Sequence, residues 1–311
     1  MGNAVLSVQD YISNDMGIRK RVYRLYRRFM LDHFHSRLVE REWLKWKGYP
    51  IDWDRPRDIN EKIQWLMCFS DTSLWSLCAD KYRVREYVGS KGLANILVPL
   101  YGVWRTAEEV DFDSLPDRFV IKCNHDSGSC HIIDKSVGFD PDAVRADLAR
   151  RLKVKYGYAH GEMYYNRISP CVIAEERLDS GDGRALVDYK IWCFDGKPYS
   201  VWACYDRTSD GTFVNIYDLD WNVHPEASVF TEHYKDGKGK VPRPECLDEM
   251  LSAAAVLSEG FPEVRVDFYE VGGRLYFGEL TFASLCGKMD FYTDDYLKEL
   301  GNQCVLPPRK K

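Results

Sequence analysis

From residue 15 to residue 47 the apolar positions recur at helical spacing: Ile18, Val22, Leu25 and Phe29 are separated by four, three and four residues, one stripe on one face. The remaining circumference carries Arg19, Lys20, Arg21, Arg24, Arg27 and Arg28. A basic amphipathic helix of this kind suits an anionic membrane surface. It also suits a helix laid over a larger domain with its charges in water, and this second reading is preferred, with peripheral membrane contact as the alternative. Pro50 and Pro56 end the pattern. A helix follows, with Asn60 as its cap and Ile63, Leu66 and Met67 turned inward, and then another over 73–90 that carries Asp80-Lys81-Tyr82.

Beyond that point strand signals enter. Leu97-Val98-Pro99 and Phe119-Val120-Ile121-Lys122-Cys123 read as strands, 141–155 as a helix, and Cys171-Val172-Ile173-Ala174-Glu175 as a strand. After the turn Ser180-Gly181-Asp182-Gly183 the texture is strand-rich, with strands expected at 187–194, 199–205 and 213–218. A helix at 245–258 precedes a last hairpin of 264–271 and 275–282. Strands and helices mix without regular βαβ alternation, so the expected class is α+β in two or more layers.

Composition narrows the function classes. A chain of 311 residues with formal net charge −5 is long enough for two domains and lacks the basic excess of a general nucleic-acid binder. No run of 18 apolar residues occurs, the N-terminus lacks a signal-peptide pattern, and Leu6 stands where a myristoylation motif needs a hydroxyl. The ten cysteines are scattered with no C-x-x-C pair, which disfavours the usual zinc spacings and fits reduced core cysteines in cytoplasm. His125 and His131 find no third ligand at metal spacing, and there is neither a Gly-x-Ser-x-Gly elbow nor a Walker A loop.

The chemistry that remains is phosphate and metal chemistry. Lys122 ends an apolar strand and is followed by the short polar loop His125-Asp126-Ser127-Gly128-Ser129, whose free N–H groups and hydroxyls suit a polyphosphate; the plain alternative is a solvated lysine. In the final hairpin, a three-residue connection of Gly272, Gly273 and Arg274 would pair Val271 with Leu275 and set Asp267 opposite Glu279. Arg265, Asp267, Glu279 and Thr281 would then share a polar face, and Val264, Val266, Phe268 and Leu280 an apolar one. Two opposed carboxylates repel unless a cation lies between them; Mg²⁺ answers that need, and an Arg265 ion pair on a solvated sheet answers it too. Glu175-Glu176-Arg177-Leu178 closes another strand and could read adenine and ribose, while Asp188-Tyr189-Lys190 and Asp206-Arg207 place charge pairs on an apolar sheet.

Taken in order, these pieces resemble the ATP-grasp superfamily, and closely its TupA-like family, associated with bacterial surface polysaccharide biosynthesis. The resemblance runs from Asn60-Glu61-Lys62-Ile63-Gln64-Trp65-Leu66 through Ala79-Asp80-Lys81-Tyr82 and the segments just quoted to Gly278-Glu279-Leu280-Thr281-Phe282. It implies an ATP-grasp fold, two α+β subdomains gripping ATP, behind an N-terminal helical segment. The expected division is 1–58 for that segment, 59–118 for a lead-in region, 119–178 for the small subdomain and 179–311 for the C-terminal one.

The resemblance also implies roles. Lys81 and Lys122 would reach the ATP phosphates, and His125, Asp126, Ser127, Gly128 and Ser129 would form a flexible phosphate lid. Glu175 and Glu176 would form the hinge beside adenine, with Leu178 packing on the base and Lys190 lining the cleft. Asp267 and Glu279 would hold Mg²⁺; Arg265 would steady an acyl phosphate, acting with Lys122 in catalysis. Two departures stand out. Thr281 replaces the usual asparagine two residues beyond the second metal carboxylate, and Ala283-Ser284-Leu285-Cys286-Gly287-Lys288 replaces a Pro/Gly-rich segment. The implied reaction joins a carboxylate, such as a uronic acid on a sugar nucleotide or glycan, to an amine. The alternatives are a hydroxyl kinase and a non-catalytic partner in polysaccharide assembly.

Overall fold

The computed structural model describes residues 17–181, 183 and 185–310. Along the chain run helices α1 (Ile18–His33), α2 (His35–Lys47), α3 (Ile59–Phe69), α4 (Ser73–Cys78) and α5 (Val84–Ser90), then strands β1 (Leu100–Trp104), β2 (Arg118–Cys123) and β3 (His131–Asp134). Helices α6 (Pro141–Arg151) and α7 (Gly157–His160) lead to β4 (Val172–Glu176), β5 (Asp188–Phe194), β6 (Lys197–Thr208), β7 (Gly211–Tyr217) and β8 (Tyr234–Asp236). The last elements are α8 (Leu247–Ser258), β9 (Val264–Val271), β10 (Arg274–Thr281) and α9 (Asp294–Gln303). They form two units. The first holds the chain to Asp52, Thr72–Tyr82 and Pro99–Arg177; the second holds Trp53–Asp71, Arg83–Val98 and Leu178–Lys311.

The first unit is built on an antiparallel sheet of order β1-β4-β2-β3. Alternation along β2 and β4 sends Phe119, Ile121, Cys123, Val172 and Ala174 to one face, where they pack with Val144 and Leu148 of α6. Asp140 caps α6, its carboxylate accepting from Asp142 N and Ala143 N at 3.0 Å each. Lys122 and Glu175 fall on the opposite face by the same alternation.

The N-terminal helical stretch departs from expectation in two ways. It breaks at Phe34 (φ −142°, ψ 43°) into α1 and α2. Its apolar stripe also does not cover the domain: Val22, Leu25 and Phe29 face solvent, while Arg27 is buried. The Arg27 Nε donates to the Tyr158 carbonyl at 3.1 Å, its guanidinium pairs with Glu42, and Leu31 packs with Leu38 and Tyr158. The side chain of Ile18 and residues 15 and 16 lie outside the described residues.

On α2, burial and the nearby Arg27 guanidinium hold the His35 imidazole down to about 4, against the pull of Glu42, and its Nε2 has no hydrogen-bond partner. The unfolded chain therefore takes up this proton first. The stabilisation is whole above about 6.5 and is lost as pH falls toward about 4. Urea denaturation at pH 7 and pH 4.5 should show about 2–3 kcal/mol of pH dependence removed by His35→Gln.

The second unit carries a six-stranded sheet of order β10-β9-β5-β6-β7-β8, antiparallel except for β7 with β8. Helix α8 packs on β5, β6 and β9 through Leu247, Met250, Ala254 and Leu257. The α3 cap is Asp58, whose Oδ1 accepts from Glu61 N at 2.9 Å; Asn60, expected there, is buried and clamps the backbone of Met289 through two bonds of 2.9 Å. The expected 73–90 helix is two helices, because Asp80 accepts from Tyr82 N at 2.9 Å and from Asn124 Nδ2 at 2.8 Å, taking residues 79–83 out of helical bonding.

The last hairpin reaches the expected pairing by an unexpected device. Its turn has two residues, Gly272 (φ 58°) and Gly273 (φ 71°), so Val271 pairs with Arg274 and Glu270 with Leu275. Continued regularly, that register would put Glu279 on the apolar face. A bulge at Gly278 inserts one residue, and beyond it Asp267 stands opposite Glu279 and Arg265 opposite Thr281.

Candidate active site

The first unit holds the lysines and the loop. Lys122 Nζ lies 2.5 Å from Glu175 Oε2, and Glu175 is buried. Lys81 reaches the same loop: its N–H donates to Asn124 O at 3.0 Å and its ammonium donates to Asp126 O. Asn124 pins the loop root, donating to Asp80 and to Ser169 O while its Oδ1 accepts from Cys171 N at 2.7 Å. The loop is anchored more firmly than a free lid. His125, Asp126 and Ser129 are buried, with Ser129 Oγ accepting from Cys123 N at 3.1 Å and donating to Asp126 Oδ1 at 2.5 Å. Arg151 approaches the other Asp126 oxygen at 3.4 Å, and burial drives the His125 imidazole below its ordinary value. Ser127 and Gly128 (φ 78°) are exposed, so the tip offers its N–H groups to solvent. Glu176 gives its N–H to Pro99 O at 2.9 Å, and the chain enters the second unit at Leu178.

The second unit holds the acids. Lys190 on β5 faces Asp267 on β9, which faces Glu279 on β10. Asp267 meets three cationic donor bonds: Oδ1 accepts from Arg265 Nε at 2.7 Å, and Oδ2 from Arg265 Nη2 at 2.8 Å and Lys190 Nζ at 2.6 Å. Burial by itself would raise the Asp267 carboxyl, but the Arg265 guanidinium and the Lys190 ammonium together hold it below the ordinary carboxylate range. Lys190 also meets Asp188 Oδ2 at 2.6 Å; burial pushes the Asp188 carboxyl up despite that partner, and its Oδ1 has no hydrogen-bond partner. For Lys190, burial opposes the charged form and the two aspartates more than offset it, so its pKa is raised.

Glu279 differs. Its side chain is 48% exposed, with Arg265 at 4.0 Å and Thr281 Oγ1 at 3.4 Å. Arg265 extends the network to Thr281 Oγ1 at 3.2 Å and Ser284 Oγ at 2.8 Å. Ser284 opens a turn in which Leu285 (φ 44°) and Cys286 (φ 55°) adopt left-handed backbone that non-glycine residues disfavour. Gln64 Nε2, donating to Cys286 O at 2.6 Å, and the Asn60 clamp on Met289 hold that turn.

Of the expected site residues, the second unit brings together Lys190, Arg265, Asp267 and Glu279, and the first brings together Lys81, Lys122, Glu175 and the loop. Asp188, expected with Lys190 as a charge pair on the sheet, forms that pair at 2.6 Å. Ser284 is the residue for which the sequence predicts no role, and nothing local points to it.

The donor set bears on Mg²⁺. Asp267 keeps an unused lone pair on Oδ1 only, Glu279 offers two accessible oxygens and Thr281 a hydroxyl. Among the described residues no group of three or more His, Cys, Asp or Glu is arranged to hold a metal. Hard oxygen donors two carboxylates strong fit Mg²⁺ arriving with phosphates, which complete its shell, better than an ion held by protein alone.

Two α+β units, each on a largely antiparallel sheet, with lysines on the first and an acid pair on the second, define an ATP-grasp fold. The chain belongs to the TupA-like ATP-grasp family, which matches residues 61–305. No curated protein matches it. Among solved structures it is similar to D-alanine–D-alanine ligase from Bacillus anthracis complexed with ATP, at 18% identity and TM-score 0.41 over 73% of this chain and 61% of that one. It is also similar to L-amino acid ligase from Bacillus licheniformis, at 13% identity and TM-score 0.42 over 71% and 48% of the two chains. VanG D-Ala:D-Ser ligase from Enterococcus faecalis shares 17% identity at TM-score 0.39 over 74% and 59%. The chain thus spans between about half and three-fifths of the length of these three.

Proposed function

We propose that the protein is an ATP-dependent carboxylate–amine ligase. The observation that carries this reading is the opposed pair Asp267 and Glu279 on a polar sheet face, with Arg265 fixed beside them. In the proposed reaction a substrate carboxylate oxygen attacks the γ-phosphorus of ATP, and the bond to the bridging oxygen breaks with its electron pair leaving on ADP. The amine nitrogen then attacks the acyl carbon, phosphate leaves with the C–O electron pair, and the nitrogen releases its extra proton to solvent. Mg²⁺, held by Asp267 Oδ1 and Glu279, would neutralise phosphate charge.

The chain's own residues supply binding and charge. Lys81 and Lys122 bind phosphate oxygens, with N–H groups at the Ser127–Gly128 tip as further donors. Glu175, Glu176 and Leu178 receive the nucleoside, and Lys190 keeps Asp267 ionised. Arg265, oriented by Asp267 and Ser284, steadies the acyl phosphate. No nucleophilic side chain is required; positioning and electrostatics carry the chemistry. By analogy with the polysaccharide association of the resemblance, the proposed substrates are a uronic-acid carboxyl and an amino acid or amino sugar, in surface polysaccharide biosynthesis. Ten cysteines scattered without a C-x-x-C pair suit a reducing, cytoplasmic setting.

ADP release measured with uronic acids and amines, singly and together, tests this. Release that needs both, with the conjugate detected by mass, is the expected result. Release with a sugar alone, accompanied by a phosphosugar, would make the protein a hydroxyl kinase. Absence of turnover together with absence of magnesium-dependent heat on titrating ATP would make it a non-catalytic partner.

A further inference from the structure

Helix α1 points its apolar stripe away from the unit that holds it. Val22 is 58% exposed, Leu25 68% and Phe29 53%, and the Phe29 ring continues to the exposed Phe34, 5.8 Å away. Arg27 and Leu31, on the far side of the same helix, make its contacts with the fold. Basic side chains flank the ridge: Arg19, Arg21 and Arg28 are exposed beside it, and Asp32 is the single acid of α1, in a chain whose formal net charge is −5. Positive charge is therefore gathered where apolar side chains meet water, against the balance of the whole chain.

We infer that this face of α1 is a docking surface for an anionic lipid bilayer, on which the helix lies in the plane of the interface. A bilayer supplies both things the face asks for, an apolar layer under the ridge and negative headgroups beside it. A second copy of the chain would set like charges against each other across a symmetric contact. A helix of 16 residues, about 24 Å long, lies on a membrane and does not cross it. Among the described residues no helix is long and apolar enough to span one. The inference makes no use of the nucleotide chemistry.

The test is co-sedimentation of the full chain with vesicles rich in phosphatidylglycerol and with pure phosphatidylcholine vesicles. The expected result is binding to the first, weakened by salt and weak or absent on the second. Leu25→Asp with Phe29→Asp should lower partitioning about tenfold or more. Arg21→Gln with Arg28→Gln should lower it about fivefold per charge removed. Leu25, Phe29 and Arg21 are exposed, so nucleotide binding should stay unchanged in both variants and the melting temperature in the aspartate variant; Arg28 also lies over the Tyr158 ring at 4.9 Å, so the arginine variant is compared at a temperature where its far-UV spectrum shows it folded. Failure to sediment with anionic vesicles, equal binding to neutral ones, or binding indifferent to both double variants overturns the proposal. So does a dimer in light scattering that the aspartate variants dissociate, which would make the face a self-association surface.

Discussion

Asp267→Asn is expected to destabilise the second unit by about 3–5 kcal/mol and abolish ATP turnover, whereas Glu279→Gln should leave stability within about 0.5 kcal/mol and still lower turnover at least about a hundredfold. The contrast follows from burial. Asp267 is buried and its carboxylate neutralises Arg265 and Lys190 together, through bonds of 2.7, 2.8 and 2.6 Å. An amide would keep the shape and lose the charge, leaving Lys190 with Asp188 at 2.6 Å and the buried Arg265 with no carboxylate among the described residues nearer than Glu279 at 4.0 Å. Removing one member of such a group costs more than the group itself contributes, because the others stay desolvated. Glu279 is half exposed and 4.0 Å from Arg265, so solvent screens what it loses. Its carboxylate matters only if something positive comes to it. Urea denaturation and ADP release on the two variants decide the question. Full turnover in Glu279→Gln would reduce the acid pair to a structural ion network and end the ligase reading.

Where a residue's position depends on its own strand, the sequence is a good guide; where it depends on a partner far along the chain, it is not. Alternation alone puts Arg265 and Asp267 on one face and Val264, Val266 and Phe268 on the other, as the structure has them. Lys122 at the end of β2 was legible for the same reason. The break at residues 79–83 was not, since Asn124, some forty residues later, draws Asp80 and Lys81 out of the helix. Periodicity located the α1 stripe but not its direction: Arg27 is buried because the Tyr158 carbonyl and Glu42 receive it. Asn60 reads as a helix cap by residue type and is a clamp on Met289 by geometry. The short strand β3, four residues long, is too brief to show a period.

Gly278→Val is expected to lower turnover about a hundredfold or more and to cost about 1–3 kcal/mol, while deletion of Gly278 should keep turnover well above that of the valine variant. The bulge is what carries Glu279 from the apolar face to the polar one after a two-residue turn. A Cβ at position 278 would stand 2.9 Å from the Asp267 carbonyl oxygen and 3.2 Å from the Tyr269 ring, and neither the backbone nor a packed aromatic can yield cheaply. A β-branched residue also favours regular strand, in which position 278 would face Asp267 and Glu279 would face Val266 in the core. Deleting the residue removes the extra step instead of straightening it, so Phe277 still pairs with Phe268 and the next residue, the glutamate, still meets Asp267. If both variants lost turnover equally while remaining folded, the bulge would matter for its own backbone shape and not for the register it sets. If both kept it, the opposed carboxylates would not be the metal-holding pair.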